Sequence, residues 1–321
     1  MKAAVYKKYG PPEVVQVMDI QKPTPSENEI LIKVYASTVN RTDAGFRSAQ
    51  YFVSRFFSGL FRPKYQVLGC EFSGVVEAIG GNVTLFKAGD RVFGFNDNSF
   101  GGHAEFMCKS QDDALAIIPA EMDFHQAAAL SEGAHYALNN IRAAKVTAGQ
   151  NVLVYGATGA IGSAAVQLLI DMNVHVTAVA NAKNMGLIKS FGVDEVFDYE
   201  IEDFTQTKTR FDFIFDAVGK SSFKQCKPLL KPEGIYISTE LGKRGANIFL
   251  ALYTPLFKGK RVLFPIPTTD KEQMEYLKSC AERGSFSPVI DRSYPLDHIV
   301  EAYRYVESGQ KTGNVILEIA S

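Results

Sequence analysis

Three glycines set three apart, Gly156, Gly159 and Gly162, carry the clearest chemical signal in this sequence. They lie in the run Val152-Leu153-Val154-Tyr155-Gly156-Ala157-Thr158-Gly159-Ala160-Ile161-Gly162-Ser163, where a short apolar stretch passes through a turn into a helical pattern. Glycines in such a place allow a tight turn and leave the amides of the helix start open, and amides so placed bind a pyrophosphate. A three-glycine match alone is weak. Here it follows a predicted strand, opens a predicted helix and precedes a second predicted strand at His175, the context of a dinucleotide site. Its expected contacts are Gly156, Ala157, Thr158, Gly159, Ala160 and Ile161.

The choice of dinucleotide is read at the end of that second strand, about 20 residues beyond the glycines, where an acid would bond a ribose 2′-hydroxyl. The sequence there is Val179-Ala180-Asn181-Ala182-Lys183, with no carboxylate. Lys183 offers positive charge to a 2′-phosphate and Asn181 a neutral donor, so NADPH is expected over NADH. An ordinary solvated lysine at a helix start is the competing reading of Lys183.

Metal chemistry finds no pattern. Cys70, Cys108, Cys226 and Cys280 make no Cys-x-x-Cys pair, and the five histidines, His103, His125, His135, His175 and His298, make no His-x-x-x-His pair. Disulfides and a structural zinc cluster are not expected. With 34 basic against 35 acidic residues, the chain has no net pull towards nucleic acid or anionic membranes. Apolar stretches such as Ala164–Ile170 and Phe249–Phe257 fall short of the roughly 20 residues a membrane span needs, and the start lacks a signal-peptide pattern. A cytoplasmic protein is expected, with no membrane or nucleic-acid partner.

Positioning elements follow from periodicity. In the 321-residue chain, residues 1 to about 120 show short runs bounded by Gly, Pro, Asn and Asp, several of them alternating, as in Ile30-Leu31-Ile32-Lys33-Val34. They read as antiparallel β structure. A helix is expected over 126–144. Beyond it, apolar strands at Asn151–Tyr155, His175–Val179, Glu195–Phe197, Phe211–Phe215, Gly234–Ser238 and Arg261–Phe264 alternate with helices at 160–172, 182–191, 221–230, 248–258 and 271–284. The expected fold class is α/β, with a doubly wound, six-stranded parallel sheet. A strand at Ser287–Ile290, a helix at Leu296–Ser308 and a strand at Asn314–Ile319 exceed that sheet and should return to the N-terminal β domain.

The runs Leu68-Gly69-Cys70-Glu71-Phe72-Ser73-Gly74-Val75-Val76-Glu77-Ala78-Ile79-Gly80 and Phe86-Lys87-Ala88-Gly89-Asp90-Arg91-Val92-Phe93-Gly94, with the glycine turn and Thr312-Gly313-Asn314-Val315-Ile316-Leu317, resemble the signature of the medium-chain dehydrogenase/reductase superfamily. Within it the chain most resembles the zinc-independent quinone oxidoreductase branch. The resemblance implies a GroES-like β-barrel domain over 1–122, completed by 288–321, a Rossmann domain over 123–287, and an active site in a cleft. It also implies a homodimer joined around Arg261–Pro265. Zinc-dependent members carry Cys-Arg-Thr-Asp and Gly-His-Glu where this chain has Asn40-Arg41-Thr42-Asp43 and Gly69-Cys70-Glu71. Asn40 replaces a thiolate and Cys70 an imidazole, and Cys70, Glu71 and Asp43 would form an unusual ligand set. No metal is expected.

Without a metal, the negative charge that hydride transfer leaves on an acceptor oxygen needs hydrogen-bond donors. The resemblance places Asn40 beside the nicotinamide, as orienter or donor. Tyr136, in Ser131-Glu132-Gly133-Ala134-His135-Tyr136, departs from the family, as does Glu132; its phenol is a second catalytic candidate or a packing group. Asp43 is expected to anchor the Asn40 loop. Tyr199, Val218 and Asn314 carry over as cofactor contacts. The aromatic-rich segment 50–63 could roof an apolar acceptor pocket through Phe56 and Phe57, or simply pack. The expected activity is NADPH-dependent reduction of a quinone or α,β-unsaturated carbonyl. An alcohol/carbonyl dehydrogenase and a non-catalytic NADPH-binding interaction protein are the alternatives.

Overall fold

A computed structural model of the chain describes residues 1–50 and 55–320, apart from the Phe57 side chain. Residues 51–54 of the expected roof lie outside the described residues. Contacts divide the chain into two compact units, Met1–Glu132 with Thr269–Ser321, and Gly133–Thr268. Among the described residues, no helix is long and apolar enough to cross a membrane.

The first unit is mainly antiparallel. Strands β1 (Lys2–Tyr6) and β2 (Val15–Asp19) form a hairpin. The long β3 (Glu29–Val39) is the hub: it pairs with β4 (Glu71–Ile79), with β6 (Phe106–Ser110) and with the C-terminal β15 (Asn314–Glu318). Strands β5 (Arg91–Phe95) and β7 (Leu115–Ile117) extend the sheet beyond β4, and β14 (Ile290–Pro295) extends it beyond β15. Between β3 and β4 lie helices α1 (Arg41–Ser48) and α2 (Arg55–Ser58). Helix α3 (Phe124–Ala128), closed by an Asp123/Gln126 capping box, packs on β3 and β4, and α9 (Lys271–Glu282) packs on β7. Helix α10 (Ile299–Glu307) buries Ile299, Ala302, Tyr303 and Val306, an apolar stripe at three and four spacing. Buried Arg47 of α1 pairs with Glu307 of α10.

In the second unit, β8 (Asn151–Tyr155), β9 (His175–Ala180), β10 (Glu195–Asp198), β11 (Phe211–Asp216), β12 (Leu230–Ser238) and β13 (Arg261–Leu263) form a parallel sheet in the order β10-β9-β8-β11-β12-β13. That is the doubly wound order, with its switch point between β8 and β11. One core cluster joins Leu153, Val179, Phe211, Ile214, Tyr236 and Val262 across five strands, which explains why these strands read as apolar runs. The crossovers carry α5 (Ala160–Asp171), α6 (Met185–Ser190), α7 (Phe223–Cys226) and α8 (Ala246–Tyr253).

Four elements depart from expectation. The helix expected over 126–144 is two, α3 and α4 (Glu132–Ala144), because the Ser131 hydroxyl and Glu132 amide turn to the Glu71 carboxylate. Helix α7 stops at Cys226 and passes into a tight turn over Lys227–Leu229 that holds Pro228, which has no amide hydrogen to continue an α-helix. Strand β12 accordingly begins at Leu230, beside Phe211. Strand β14 begins three residues later than expected, since Pro288 cannot donate and the Val289 carbonyl is taken by Asn314.

Helix α5 rests on β8 by a backbone approach. A Cβ on Gly162 would lie 2.1 Å from the Gly156 carbonyl oxygen, whereas at Gly186 of α6 nothing lies within 4 Å. Gly162→Ala should therefore cost roughly 2 kcal/mol in urea unfolding, while Gly186→Ala should be neutral or stabilise by about 0.5 kcal/mol. Equal effects at the two positions would refute the close-packing account.

Candidate active site

In the second unit, β8 delivers the chain to Gly156, whose φ of +80° requires glycine. The amides of Gly156 and Ala157 both donate to the Val179 carbonyl at 3.1 Å, which ties the turn to the end of β9. Val218, beyond β11, closes the other side: a Cβ on Gly156 would come within 2.6 Å of its methyl groups. Gly159 is the N-cap of α5 and supplies no side chain. A Cβ there would meet only the Gly156 oxygen, at 3.8 Å, so the space above the turn is open. The first-turn amides of α5 are the unsatisfied donors that any helix start presents. Ala157, Thr158, Gly159, Ala160 and Ile161 form this turn and the start of α5, and a helix start so placed can take an anion.

The parallel register brings the other expected cofactor residues to the same edge. Asn181 follows β9 directly, and its side-chain oxygen accepts from Asn184 at 2.9 Å. Lys183 is exposed one turn on, with no ion-pair partner among the described residues. Tyr199 follows β10, half its surface exposed, its ring 6.5 Å from that of Tyr155. Two residues not singled out from sequence complete the edge. Buried Asp216 ends β11 and accepts from the amides of Val218, Lys220 and Ser221, shaping the loop that holds Val218. Gly133 lets α4 approach α5, since a Cβ there would meet the Ala160 carbonyl carbon at 2.7 Å. An acid closing the apolar run Phe211-Asp212-Phe213-Ile214-Phe215-Asp216 was the available signal for the first; nothing local marked the second. Tyr136, on α4, is half-buried with its ring edge-on to His135 at 5.0 Å.

In the first unit, β3 ends at Asn40, which caps α1: its side-chain oxygen accepts from the Asp43 amide at 2.9 Å. Its amide nitrogen donates to Cys70 Sγ at 3.1 Å and approaches Thr38 Oγ1 at 3.3 Å. Both ends of this buried carboxamide are engaged, so Asn40 orients a loop. Asp43 anchors that loop from below, Oδ1 accepting from Gly69 at 3.0 Å. Burial, with Glu132 and Glu71 nearby, raises its pKa well above the usual carboxylate range. His103 lies 3.8 Å from Asp43 Oδ2, but burial lowers the imidazole to about 4 and its Nε2 bonds the Thr38 carbonyl. The imidazole is therefore neutral at ordinary pH. Asn314 opens β15 with its side-chain nitrogen on the Val289 carbonyl at 3.0 Å, a tie between strands.

Around Cys70 lies a buried acidic constellation of which sequence gave only fragments. Glu71, fully buried, accepts from Thr38 Oγ1 at 2.5 Å, Ser131 Oγ at 3.0 Å and the Glu132 amide at 2.6 Å. Burial first, then the Glu132 carboxylate, raise its pKa to about 7. Glu132 is also buried, accepts from Thr42 Oγ1 at 3.0 Å, and is raised by burial against the opposing charges of Lys311 and Arg41. Burial likewise pushes the Cys70 thiol up, so it remains protonated and is a poor ligand or nucleophile. Glu71 and Asp43 Oδ1 are committed to internal hydrogen bonds, while Asp43 Oδ2 is buried without a hydrogen-bond partner. Among the described residues no group of three or more His, Cys, Asp or Glu is disposed to hold a metal.

A carboxyl whose pKa is raised in the folded state holds more protons there than when unfolded between about 4.5 and 7. The Glu71 contribution to stability is thus present at low pH and lost as pH rises through that window. Relative to Glu71→Gln, the wild-type chain should lose on the order of 3 kcal/mol between pH 4.5 and 8 in chemical denaturation. A difference that does not vary with pH would contradict the assignment.

Comparison with known proteins agrees with this geometry. Residues 26–136 match the alcohol dehydrogenase GroES-like domain and 191–317 the zinc-binding dehydrogenase family. The quinone oxidoreductase of Pongo abelii is 31% identical over 99% of this chain and 97% of its own length. An Arabidopsis thaliana protein named NADPH-dependent alkenal/one oxidoreductase, chloroplastic, is 29% identical over 99% of this chain and 79% of its own. The solved quinone oxidoreductase of Coxiella burnetii superposes with a TM-score of 0.88 at 27% identity, covering 100% of this chain and 99% of that one. On its glycine turn, its two folds and these relatives, the chain belongs to the medium-chain dehydrogenase/reductase superfamily, in the quinone oxidoreductase-like branch.

Proposed function

We propose that the chain is an NADPH-dependent, zinc-independent oxidoreductase that reduces a quinone or an α,β-unsaturated carbonyl, with a Rossmann cofactor domain and a GroES-like catalytic domain. The observation that carries this reading is the open cradle above Gly159, framed by Gly156 packed on Val218 and by the first turn of α5. Names of the relatives point the same way, towards quinones in one case and NADPH with alkenals and alkenones in the other.

When bound, NADPH supplies the hydride. The residues of this chain hold and orient it: the amides of the 156–161 turn meet the pyrophosphate, Lys183 and Asn181 meet the 2′-phosphate, and Tyr199 and Val218 flank the adenosine side. Asn314 stands as a further contact through its side-chain oxygen. Asn40, fixed by Asp43 and Cys70, sets the loop beside the reacting ring, and the Tyr136 phenol is the donor towards developing charge on the acceptor oxygen.

The protein acts as a cytoplasmic homodimer in this reading. Strand β13 is the last of its sheet, and α8 with the segment after it exposes Phe249, Leu252, Tyr253, Leu256 and Phe257. An apolar face beside an open strand edge fits a second copy of the same chain. Leu252→Glu combined with Leu256→Glu should shift the species in sedimentation velocity from dimer to monomer; a wild-type monomer would refute it.

Purified protein should oxidise NADPH with quinones and enones faster than it oxidises simple alcohols with NADP⁺. Faster alcohol oxidation would favour a dehydrogenase, and no turnover with any acceptor a non-catalytic binder. Lys183→Ala should weaken NADPH binding about tenfold in fluorescence titration and leave NADH binding unchanged, since one charge-assisted contact of roughly 1.4 kcal/mol is lost. Equal losses for both cofactors would remove Lys183 from the 2′-phosphate site.

A further inference from the structure

In the first unit, the turn that follows α2 places large apolar side chains in solvent. Phe61 is 88% exposed and Leu60 beside it 41%, and Phe56, 67% exposed, lies one helical turn earlier. The turn is held in shape rather than loose. Gly59 has φ +114°, and a Cβ there would stand 2.1 Å from the Arg62 carbonyl oxygen, so the bend requires glycine. Its base is pinned: the Tyr9 hydroxyl donates to the Gly59 carbonyl at 2.6 Å, the Lys64 amide donates to the Ser58 carbonyl at 2.7 Å, and Pro63 is buried. Leu60 and Phe61 therefore stand at the tip of a closed loop, where water meets apolar surface at a cost to the fold.

Charge around this tip is of one sign. Between Asp43 and Glu71 the sequence has no acid, whereas Arg62 and Lys64 are both exposed. Lys7 and Lys8, also exposed, run beside them, because the Tyr6 amide donates to the Gln66 carbonyl at 2.9 Å and Tyr9 bonds the Gly59 turn. Among the described residues none of these four cations has an ion-pair partner. Acids on the neighbouring elements are already taken: Glu13 pairs with Arg304, and Glu307 of α10, which packs on α1, pairs with Arg47. The even balance of 34 basic and 35 acidic residues, from which no membrane partner is expected, conceals this local excess.

We propose that the loop 58–64, with Phe56, Lys7 and Lys8, is a docking surface for a bilayer of anionic phospholipid. Leu60, Phe61 and Phe56 enter the boundary between headgroups and acyl chains, and the four cations meet lipid phosphates. Other occupants fit less well. Single-stranded nucleic acid would answer the charge, but base stacking uses a ring that lines a groove, and nearly all of the Phe61 surface stands free. A second copy meeting the same patch across a two-fold axis would set like charges against each other. Since no helix among the described residues can cross a bilayer, the contact is peripheral and reversible. It stands independently of the oxidoreductase reading.

Cosedimentation of the full chain with vesicles tests the surface. The wild-type chain should bind vesicles of mixed phosphatidylglycerol and phosphatidylcholine at low salt, release them at high salt, and ignore phosphatidylcholine alone. Leu60→Ser combined with Phe61→Ser should weaken binding about tenfold or more, as should Arg62→Glu combined with Lys64→Glu, with thermal unfolding unchanged because all four side chains are exposed. The sequence has no tryptophan, so Phe61→Trp adds a single reporter. Its emission should shift to the blue on anionic vesicles and be quenched by brominated acyl chains. Absence of wild-type binding to anionic vesicles, equal binding by the tip variant, or unaltered emission from Phe61→Trp would overturn the proposal. So would capture of a labelled single-stranded oligonucleotide in place of vesicles, or a tip variant that changes the oligomeric state and leaves vesicle binding intact.

Discussion

The second unit depends on one contact between backbones. The start of α5 lies so close to the end of β8 that no side chain fits between Gly162 and the Gly156 carbonyl. This approach aims the free amides of the first helical turn over the carboxyl edge of a parallel sheet, where partial positive charge and open donors coincide. The rest of the edge follows from the sheet: strands in the order β10-β9-β8-β11 present Tyr199, Lys183, the glycine turn and Val218 in a row. Asp216 then stabilises the row by gathering the loop amides that follow β11.

The first unit solves a different problem, that of holding polar groups out of water. Asn40, Asp43, Glu71, Cys70 and His103 are all buried, and nearly every polar atom among them is bonded to a neighbour. Such a network fixes the α1 loop rigidly, because losing any member would leave a desolvated group without a partner. It also engages both Glu71 oxygens and the Cys70 thiol. The cost of burying several acids is lowered because burial raises the pKa of Asp43 and of Glu71 and so favours their protonated forms.

Much of the second unit was legible in the sequence because its causes are local. Val152-Leu153-Val154 and Phe213-Ile214-Phe215 are apolar on both faces since helices cover both sides of a parallel sheet, and the glycine turn announces itself by spacing. Failures occur where a distant partner decides. The break between α3 and α4 is set by Glu71, some sixty residues away in sequence, and the late start of β14 by Asn314. Asn40 was singled out as orienter or donor, but the Cys70 and Asp43 contacts at the two ends of its carboxamide could not be read from the sequence. Glu71 read only as the remnant of a zinc signature, because the hydroxyls of Thr38 and Ser131 that define it come from other elements. Glu132 stood out as odd in sequence, and its burial, with its amide on the Glu71 carboxylate, is set by residues distant in the chain.

The central claim is that this chain moves a hydride from NADPH to an acceptor with hydrogen bonds in place of a metal. Its most direct test is deuterium transfer from NADPH labelled at C4 of the nicotinamide, carried out on protein dialysed against a strong chelator, with an enone as acceptor and the product analysed by mass spectrometry and NMR. The account predicts one deuterium at the β-carbon of the product and a rate unchanged by chelation. Unlabelled product, or transfer that stops with chelation and returns with zinc, would contradict it.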